Sequence, residues 1–278
     1  MIKLGCMSLS YRDRMAAGEM SVEEFIETAY RLRLDGVDLH TSAFPDTEPA
    51  TLRRLRHACH RRGLAICYLA VSNDFGKQGE ALQEEVAKVK RWISIAQEMG
   101  VPMVRIFAAW IPQGETKERV WSRMLDAIGQ VVAEGERRDV VLGLHNHNHG
   151  CVTATGEDVV RILQEVNSSY LTHILDTGQY VGSPGASGAD RSRPAEERLY
   201  ASIAASAPYA VHVRAKFYRI SSGVEEWLDY PRILDILAAQ SFNGWMSIVY
   251  EGWDVEPSPT AVPKAVAYLR KLLRERNL

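Results

Sequence analysis

Residues 140–176 read VVLGLHNHNHGCVTATGEDVVRILQEVNSSYLTHILD and contain one complete strand–helix–strand unit. Residues 140–145 form a short apolar run, which is typical of a buried strand. Residues 155–166 carry apolar side chains at helical spacing, and residues 172–176 form another short apolar run. Two such runs separated by an amphipathic helix predict two parallel strands joined by a helical crossover.

The same alternation extends along the whole chain of 278 residues. Further strands are predicted over residues 2–9, 36–40, 64–71, 101–110, 210–214 and 245–250, and further helices over residues 21–34, 48–62, 79–99, 116–138, 195–207, 231–239 and 259–275. Eight alternating units predict an α/β fold, a (β/α)8 TIM barrel forming a single domain over residues 1–278. An open doubly wound sheet is the alternative, but no GxGxxG motif follows the first strand.

Local signals mark the ends of several of these elements. Ser21 and Glu24 have the spacing of a capping box at a helix start, and Gly100 is placed to end the long helix before it. Residues 182–194 are rich in Gly, Ser and Pro and predict a loop, which either is a flexible insertion or is a lid or subunit contact carrying Arg191 and Arg193.

Composition excludes several classes of protein. Lys and Arg total 33 against 35 for Asp and Glu, giving a net charge of −2, which argues against a nucleic-acid-binding surface. No apolar run approaches the length of a membrane span, and the N-terminal residues do not resemble a signal peptide. The four cysteines form no CxxC motif, so we expect reduced structural thiols and a cytoplasmic protein.

Four of the predicted strands end in, or contain, a side chain able to bind a metal ion. These residues are His145, Asp176, His212 and Glu251, separated by 31, 36 and 39 residues. Each interval is about one strand–helix unit, and functional side chains of such barrels lie at the carboxyl ends of the strands. Two imidazoles and two carboxylates suit a divalent transition ion. The spacing therefore predicts one metal site bound by all four residues.

The chain resembles the sugar phosphate isomerase/epimerase branch of the xylose isomerase-like TIM-barrel superfamily. The strings that carry the resemblance are GVDLH (36–40), LGLHNH (142–147), LDTG (175–178), VHVRAK (211–216) and SIVYEG (247–252). The resemblance covers essentially the whole chain and implies that Asp176, His212 and Glu251 are metal ligands. It also implies an acid–base role for Glu251.

Two positions depart from that family. Where many members have a Glu at the end of strand five, this chain has His145, with His147 two residues later. Where members often have a His three residues after the strand-six Asp, this chain has Gln179, which cannot shuttle a proton. Both changes argue against proton transfer by two Glu residues. His147 or His145 is the base that this sequence offers. We expect His147 to lie over the substrate rather than on the metal; the alternative is that His147 replaces the missing Glu as the ligand and His145 is buried below it.

The resemblance and the residues together predict a metal-dependent isomerase or epimerase of a sugar or sugar phosphate, acting by proton abstraction next to a metal-polarised carbonyl. A dehydratase or other lyase on a keto-sugar or keto-inositol is the alternative, and a non-catalytic sugar-binding barrel follows it. A DNA-repair endonuclease is disfavoured because strands three and four end without His.

The predicted cofactor is one divalent ion, Mn first, with Zn, Co, Fe or Mg as alternatives. The expected partner is a small sugar or polyol, with no nucleic acid or membrane, and homo-oligomer formation is left open. Asp38 is interpreted either as a structural ion-pair residue or as a substrate contact. The candidate substrate-binding residues are Arg105, Gln179, Arg214 and Lys216.

Overall fold

The computed structural model of the protein describes residues 1–185 and 192–278. Its strands are β1 (Lys3–Met7), β2 (Gly36–His40), β3 (Ala65–Ala70), β4 (Met103–Ile106), β5 (Val141–His145), β6 (Leu171–Asp176), β7 (Ala210–Phe217) and β8 (Trp245–Tyr250). Its α-helices are α1 (Arg12–Ala16), α2 (Val22–Arg31), α3 (Pro49–His60), α4 (Gly79–Met99), α5 (Lys117–Arg138), α6 (Gly156–Val166), α7 (Arg193–Ser206), α8 (Tyr230–Ala239) and α9 (Ser258–Arg276). The strands form a closed parallel barrel in the order β1 to β8, which confirms the predicted (β/α)8 TIM barrel.

Helix ends follow the local signals in the sequence. The Ser21 hydroxyl accepts a bond from the Glu24 backbone N–H, and the Glu24 carboxylate accepts one from the Ser21 backbone N–H at 2.7 Å. This capping box starts α2 as predicted. Helix α4 ends at Gly100, which has φ 67°, a conformation that favours glycine.

Three strands differ from the prediction by more than one residue at an end. Strand β1 ends at Met7, because Ser8–Tyr11 form a 3-10 turn that leads into the short, unpredicted helix α1. Strand β4 ends at Ile106, because the Asn73 side chain bonds both the backbone N–H and the carbonyl of Phe107, each at 2.9 Å. Strand β7 continues three residues beyond the predicted end at Arg214, so that Lys216 is a strand residue.

Two compact units make up the described chain. Unit 1 comprises Met1–Cys67 and His212–Leu278, and unit 2 comprises Tyr68–Val211. In unit 1, β1 pairs with β2 and with β8, and β8 pairs with β7. In unit 2, β4 pairs with β3 and with β5, and β5 pairs with β6. The single-domain boundaries of residues 1–278 stay a prediction.

All four cysteines are free and buried, as the sequence predicts. Burial raises the thiol pKa, to about 12 for Cys6, so these groups are poor nucleophiles.

Within the described residues, no helix is long and apolar enough to cross a membrane. Of the two arginines in the predicted 182–194 loop, Arg191 lies outside the described residues. The other, Arg193, begins α7 and pairs with Glu197 at 2.9 Å.

Candidate active site

A buried histidine–aspartate pair joins the ends of β5 and β6. His145 is 2% exposed and Asp176 is fully buried. The His145 Nε2 lies 3.2 Å from the Asp176 Oδ2. Both residues are the last of their strands, where the sequence predicts a ligand-binding edge. The structure therefore brings together two of the four predicted metal ligands.

Asn146 holds this pair in place. Its side-chain Nδ2 donates to the Asp176 carbonyl at 2.9 Å, and its Oδ1 accepts from the Asp176 backbone N–H at 2.7 Å. The Asp176 Oδ1 in turn accepts the Gly178 N–H at 2.9 Å. No role for Asn146 was predicted from the sequence, although its place directly after a buried strand indicated one. Asn146 fixes the backbone of Asp176, the residue that presents the carboxylate.

His147 lies half-buried beyond the end of β5. Its Nδ1 is 2.9 Å from the Asn148 carbonyl oxygen, which can only accept, so the neutral ring carries its proton on Nδ1 and its lone pair on Nε2. The ring meets Phe107 edge-on at 5.3 Å between centroids, and it lies 5.4 Å from Trp110. Two aromatic rings therefore fix the orientation of a basic nitrogen.

Two of the predicted substrate-binding residues lie in the same unit. Arg105 is 2% exposed, donates to the Val71 carbonyl at 3.0 Å and places its guanidinium 4.1 Å from the Phe107 ring centre. Gln179 is also buried, and its Oε1 accepts no hydrogen bond from the residues that the structure describes. A buried amide oxygen without a donor is costly, which makes Gln179 a fitting acceptor for a ligand hydroxyl.

In unit 1, Glu251 follows β8 and is engaged by a lysine. The Lys216 Nζ donates to the Glu251 Oε1 at 2.7 Å. The Lys216 side chain is 1% exposed and that of Glu251 is 30% exposed. Arg214, two residues before Lys216 on the same strand, is buried as well. The two basic residues predicted to bind substrate are therefore interior residues of β7.

His212 lies far from Glu251 along the sheet. It pairs in register with Trp245 at the start of β8, whereas the Glu251 N–H bonds the Phe217 carbonyl at the far end of β7. Six residues at about 3.3 Å each separate their backbones by roughly 20 Å, more than the two side chains can span. The structure therefore does not bring His212 and Glu251 together around one ion, and the four-ligand site stays a prediction. The actual neighbours of His212 are the Ser247 Oγ at 2.9 Å and the Asp38 Oδ2 at 3.4 Å.

The geometry of His145 and Asp176 fits a divalent ion. Bonds from such an ion to imidazole nitrogen or carboxylate oxygen are about 2.0–2.2 Å long. Two donor atoms 3.2 Å apart then subtend roughly 100° at the ion, which is normal for tetrahedral or octahedral coordination. The two donor atoms already have the spacing that an ion needs, but the proton shared between Nε2 and Oδ2 has to leave when an ion binds. The mixed nitrogen and oxygen donors suit a transition metal.

The family described as xylose isomerase-like TIM barrel matches residues 26–272. No curated protein matches at a significant level.

Similar solved structures include 3-keto-D-glucoside 4-epimerase from E. coli, at 16% identity, a TM-score of 0.74, and coverage of 98% of this chain and 100% of that one. D-psicose 3-epimerase from Clostridium cellulolyticum H10, solved with D-tagatose, is 15% identical, with a TM-score of 0.76 and 98% coverage of each chain. An L-ribulose 3-epimerase is 14% identical, with a TM-score of 0.75 and coverage of 99% and 95%. At these identities the similarity shows the fold.

Proposed function

The chain belongs to the xylose isomerase-like TIM barrel family, and from that membership we propose that it is an isomerase or epimerase of a sugar or sugar phosphate that uses one divalent metal ion. The observation that carries the proposal is the buried pair of His145 and Asp176, whose donor atoms are spaced for one ion. Similar solved structures include epimerases of a keto-glucoside, of psicose and of ribulose, which supports sugar chemistry.

His145 and Asp176 would hold the ion, with Glu251 as the remaining predicted ligand or as an acid–base group. Manganese is the first candidate for this nitrogen and oxygen donor set, followed by Zn, Co, Fe and Mg. When bound, a divalent ion withdraws electron density from a sugar carbonyl and its neighbouring hydroxyl, which makes the proton next to the carbonyl more acidic.

The protein side chains would then move and direct that proton. His147 accepts it at Nε2, because its Nδ1–H is held by the Asn148 carbonyl. An imidazole exchanges protons readily near neutral pH, so the same ring can return the proton to the substrate. The Gln179 Oε1 accepts a bond from a substrate hydroxyl, and Arg105, Arg214 and Lys216 supply positive charge for anionic groups.

A lyase is the second candidate, and Gln179 is the observation that favours it. Epimerisation through two faces of one carbon requires two acid–base groups, whereas the amide of Gln179 cannot transfer a proton. With His147 acting alone, loss of a leaving group from the next carbon completes the reaction as a dehydration. Both reactions start with the same proton abstraction.

The test is solvent deuterium exchange. The chain is treated with chelator, reloaded with Mn²⁺ and incubated in deuterated water with keto-sugars, sugar phosphates and inososes, and the products are analysed by NMR. An epimerase or isomerase gives deuterium at one carbon of a new sugar, and a lyase gives a product that has lost water. A sugar-binding barrel gives shifted ligand resonances without deuterium, which would overturn the proposal.

A matched pair of variants identifies the base. His147→Ala should abolish exchange while retaining the metal. His149→Asn is the control, because His149 is exposed and has φ 54°, a backbone conformation that Asn tolerates and Ala does not. We propose that the ligand is a small sugar or polyol and that no nucleic acid or membrane takes part. A cytoplasmic location, in keeping with the four free cysteines, is part of the same proposal.

A further inference from the structure

Unit 1 contains a second group of metal-binding side chains that the proposed reaction does not use. Asp38 in the middle of β2, Cys67 in β3 and His212 in β7 place one donor atom each within 4.8 Å of one another. All three residues are buried, at 0%, 5% and 1% exposure. They come from separate strands, so the folded sheet assembles the group rather than a local sequence motif.

A glycine makes room for the thiol in this group. A Cβ atom added at Gly36 would lie 2.8 Å from the Cys67 Sγ and 2.8 Å from the Trp245 ring, closer than real Cβ contacts. Only a residue without a Cβ lets the Sγ approach the β2 backbone at this point. The position of the thiol beside Asp38, two residues further along β2, depends on Gly36.

The carboxylate of Asp38 lacks the partners that a buried charge requires. Neither of its oxygens accepts a hydrogen bond of ordinary geometry from the residues that the structure describes. The His212 Nε2 lies 3.4 Å from the Asp38 Oδ2. A buried carboxylate that is poorly bonded costs several kcal/mol, and burial in proteins is tolerated where charges are paired or bind metals.

We propose that Asp38, Cys67 and His212 form a thiolate-containing site for a divalent transition ion, distinct in its residues from the His145–Asp176 pair. An ion balances the charges: with Asp38 and Cys67 both anionic and His212 neutral, a divalent cation makes the group electrically neutral. Binding converts the Cys67 thiol to a thiolate bonded to the metal and releases its proton to solvent.

The distances between the donor atoms of the three residues are close to those around a bound metal ion. Donor atoms around a tetrahedral zinc ion lie about 3.3–3.8 Å apart, given bonds of about 2.0–2.3 Å. The Asp38–His212 distance of 3.4 Å already meets this requirement. The thiol, within 4.8 Å of both, needs to move inward by about 1 Å at most. Sulfur and imidazole donors select Zn²⁺ or Co²⁺ over Mg²⁺ and Ca²⁺.

Cobalt titration tests the site without relying on turnover. Chelator-treated protein is titrated with Co²⁺ while the near-ultraviolet thiolate-to-cobalt charge-transfer band is recorded. Bound cobalt and released protons are measured in parallel. We expect the band to rise to saturation in the wild type. We expect it to be absent in Cys67→Ser, with one equivalent of cobalt fewer. Asp38→Asn should fold and should weaken cobalt binding at this site by at least about tenfold.

Cys59→Ser is the matched control, because Cys59 is another buried free thiol of unit 1 and lies on α3 outside the group. It should retain the full band. A wild-type protein saturated with cobalt but without the band would overturn the proposal and leave Asp38 and His212 as a buried ion pair. A band that persists in Cys67→Ser would also overturn it. Loss of deuterium exchange with an intact band would refute the proposed reaction and leave this site standing.

Discussion

Replacing Asn146 with Ala should uncouple the ends of β5 and β6. The substitution removes two buried hydrogen bonds, of 2.7 and 2.9 Å, to the backbone of Asp176. Leaving a buried donor or acceptor unsatisfied costs about 1–3 kcal/mol each, so the two losses together predict about 2–6 kcal/mol of lost stability. Urea unfolding monitored by circular dichroism measures this value directly.

The same substitution should weaken metal binding, because Asn146 fixes the residue that carries the carboxylate ligand. Removing groups that orient a ligand typically lowers metal affinity about 10–100-fold. Competition with a chromophoric chelator, at constant pH, gives the affinity of Asn146→Ala relative to wild type. Mn²⁺ or Co²⁺ serves as the probe, and folding of the variant is confirmed first.

Asn148→Ala is the matched control, two residues along the same segment. Asn148 is also buried at 3% exposure, yet neither polar atom of its side chain has a hydrogen-bond partner among the described residues. Its truncation removes no bond and should cost less than about 1 kcal/mol. Equal destabilisation by the two variants, or unchanged metal affinity in Asn146→Ala, would refute the view that Asn146 positions Asp176.

Three further predictions concern the acid–base residues and pH. Glu251→Gln should lower turnover at least about 10²-fold, the usual scale for losing an acid–base group, and near-normal turnover would remove Glu251 from the reaction. His145→Ala should lose the metal, whereas His147→Ala should keep most of it and lose activity; metal analysis beside turnover would expose the reverse assignment. Burial raises the pKa of Glu225 to about 7, from 4.5, despite three backbone N–H groups bonded to its carboxylate. Because the folded-state pKa is the higher one, the stability from this group is complete below pH 4.5 and is lost as pH rises through about 7. The unfolding free energy should therefore fall over this range in wild type and be flatter in Glu225→Gln; equal slopes would contradict the assignment.

The sequence predicts the fold well because strand and helix periodicity is a local property. Strand β2, helix α4 and strand β8 have the same first and last residues in the prediction and in the structure. The ends of strands β4 and β7 depend on contacts between residues distant in sequence. The Asn73 side chain bonds the backbone of Phe107 just after β4, and Glu251 balances the charge of Lys216 within β7. Such contacts leave no periodic signal in the sequence.

The sequence predicted which strands carry the candidate site residues, but not how far along each strand those residues lie. His145 and Asp176 are true strand ends, and the structure joins them. His212 and Glu251 lie apart because β7 continues to Phe217, beyond the predicted end at Arg214. Alternation of side chains fixes which face a residue occupies, but it does not say how far along the strand a partner lies. Asp38, in the middle of β2, is a residue that reaches His212.

Lys216 is paired with Glu251, and this ion pair limits what the Glu251 carboxylate can bind. The Lys216 ammonium occupies the Glu251 Oε1 at 2.7 Å, so an ion would have to bind the other oxygen. A divalent ion about 5 Å from an ammonium is repelled by roughly 7 kcal/mol at an effective dielectric constant of about 20, which offsets part of what the carboxylate contributes. A carboxylate already paired with lysine is better suited to accept a proton or a substrate hydroxyl than to bind the metal. Within the proposed reaction, we infer that Glu251 acts on the substrate and that His145 and Asp176 would hold the ion.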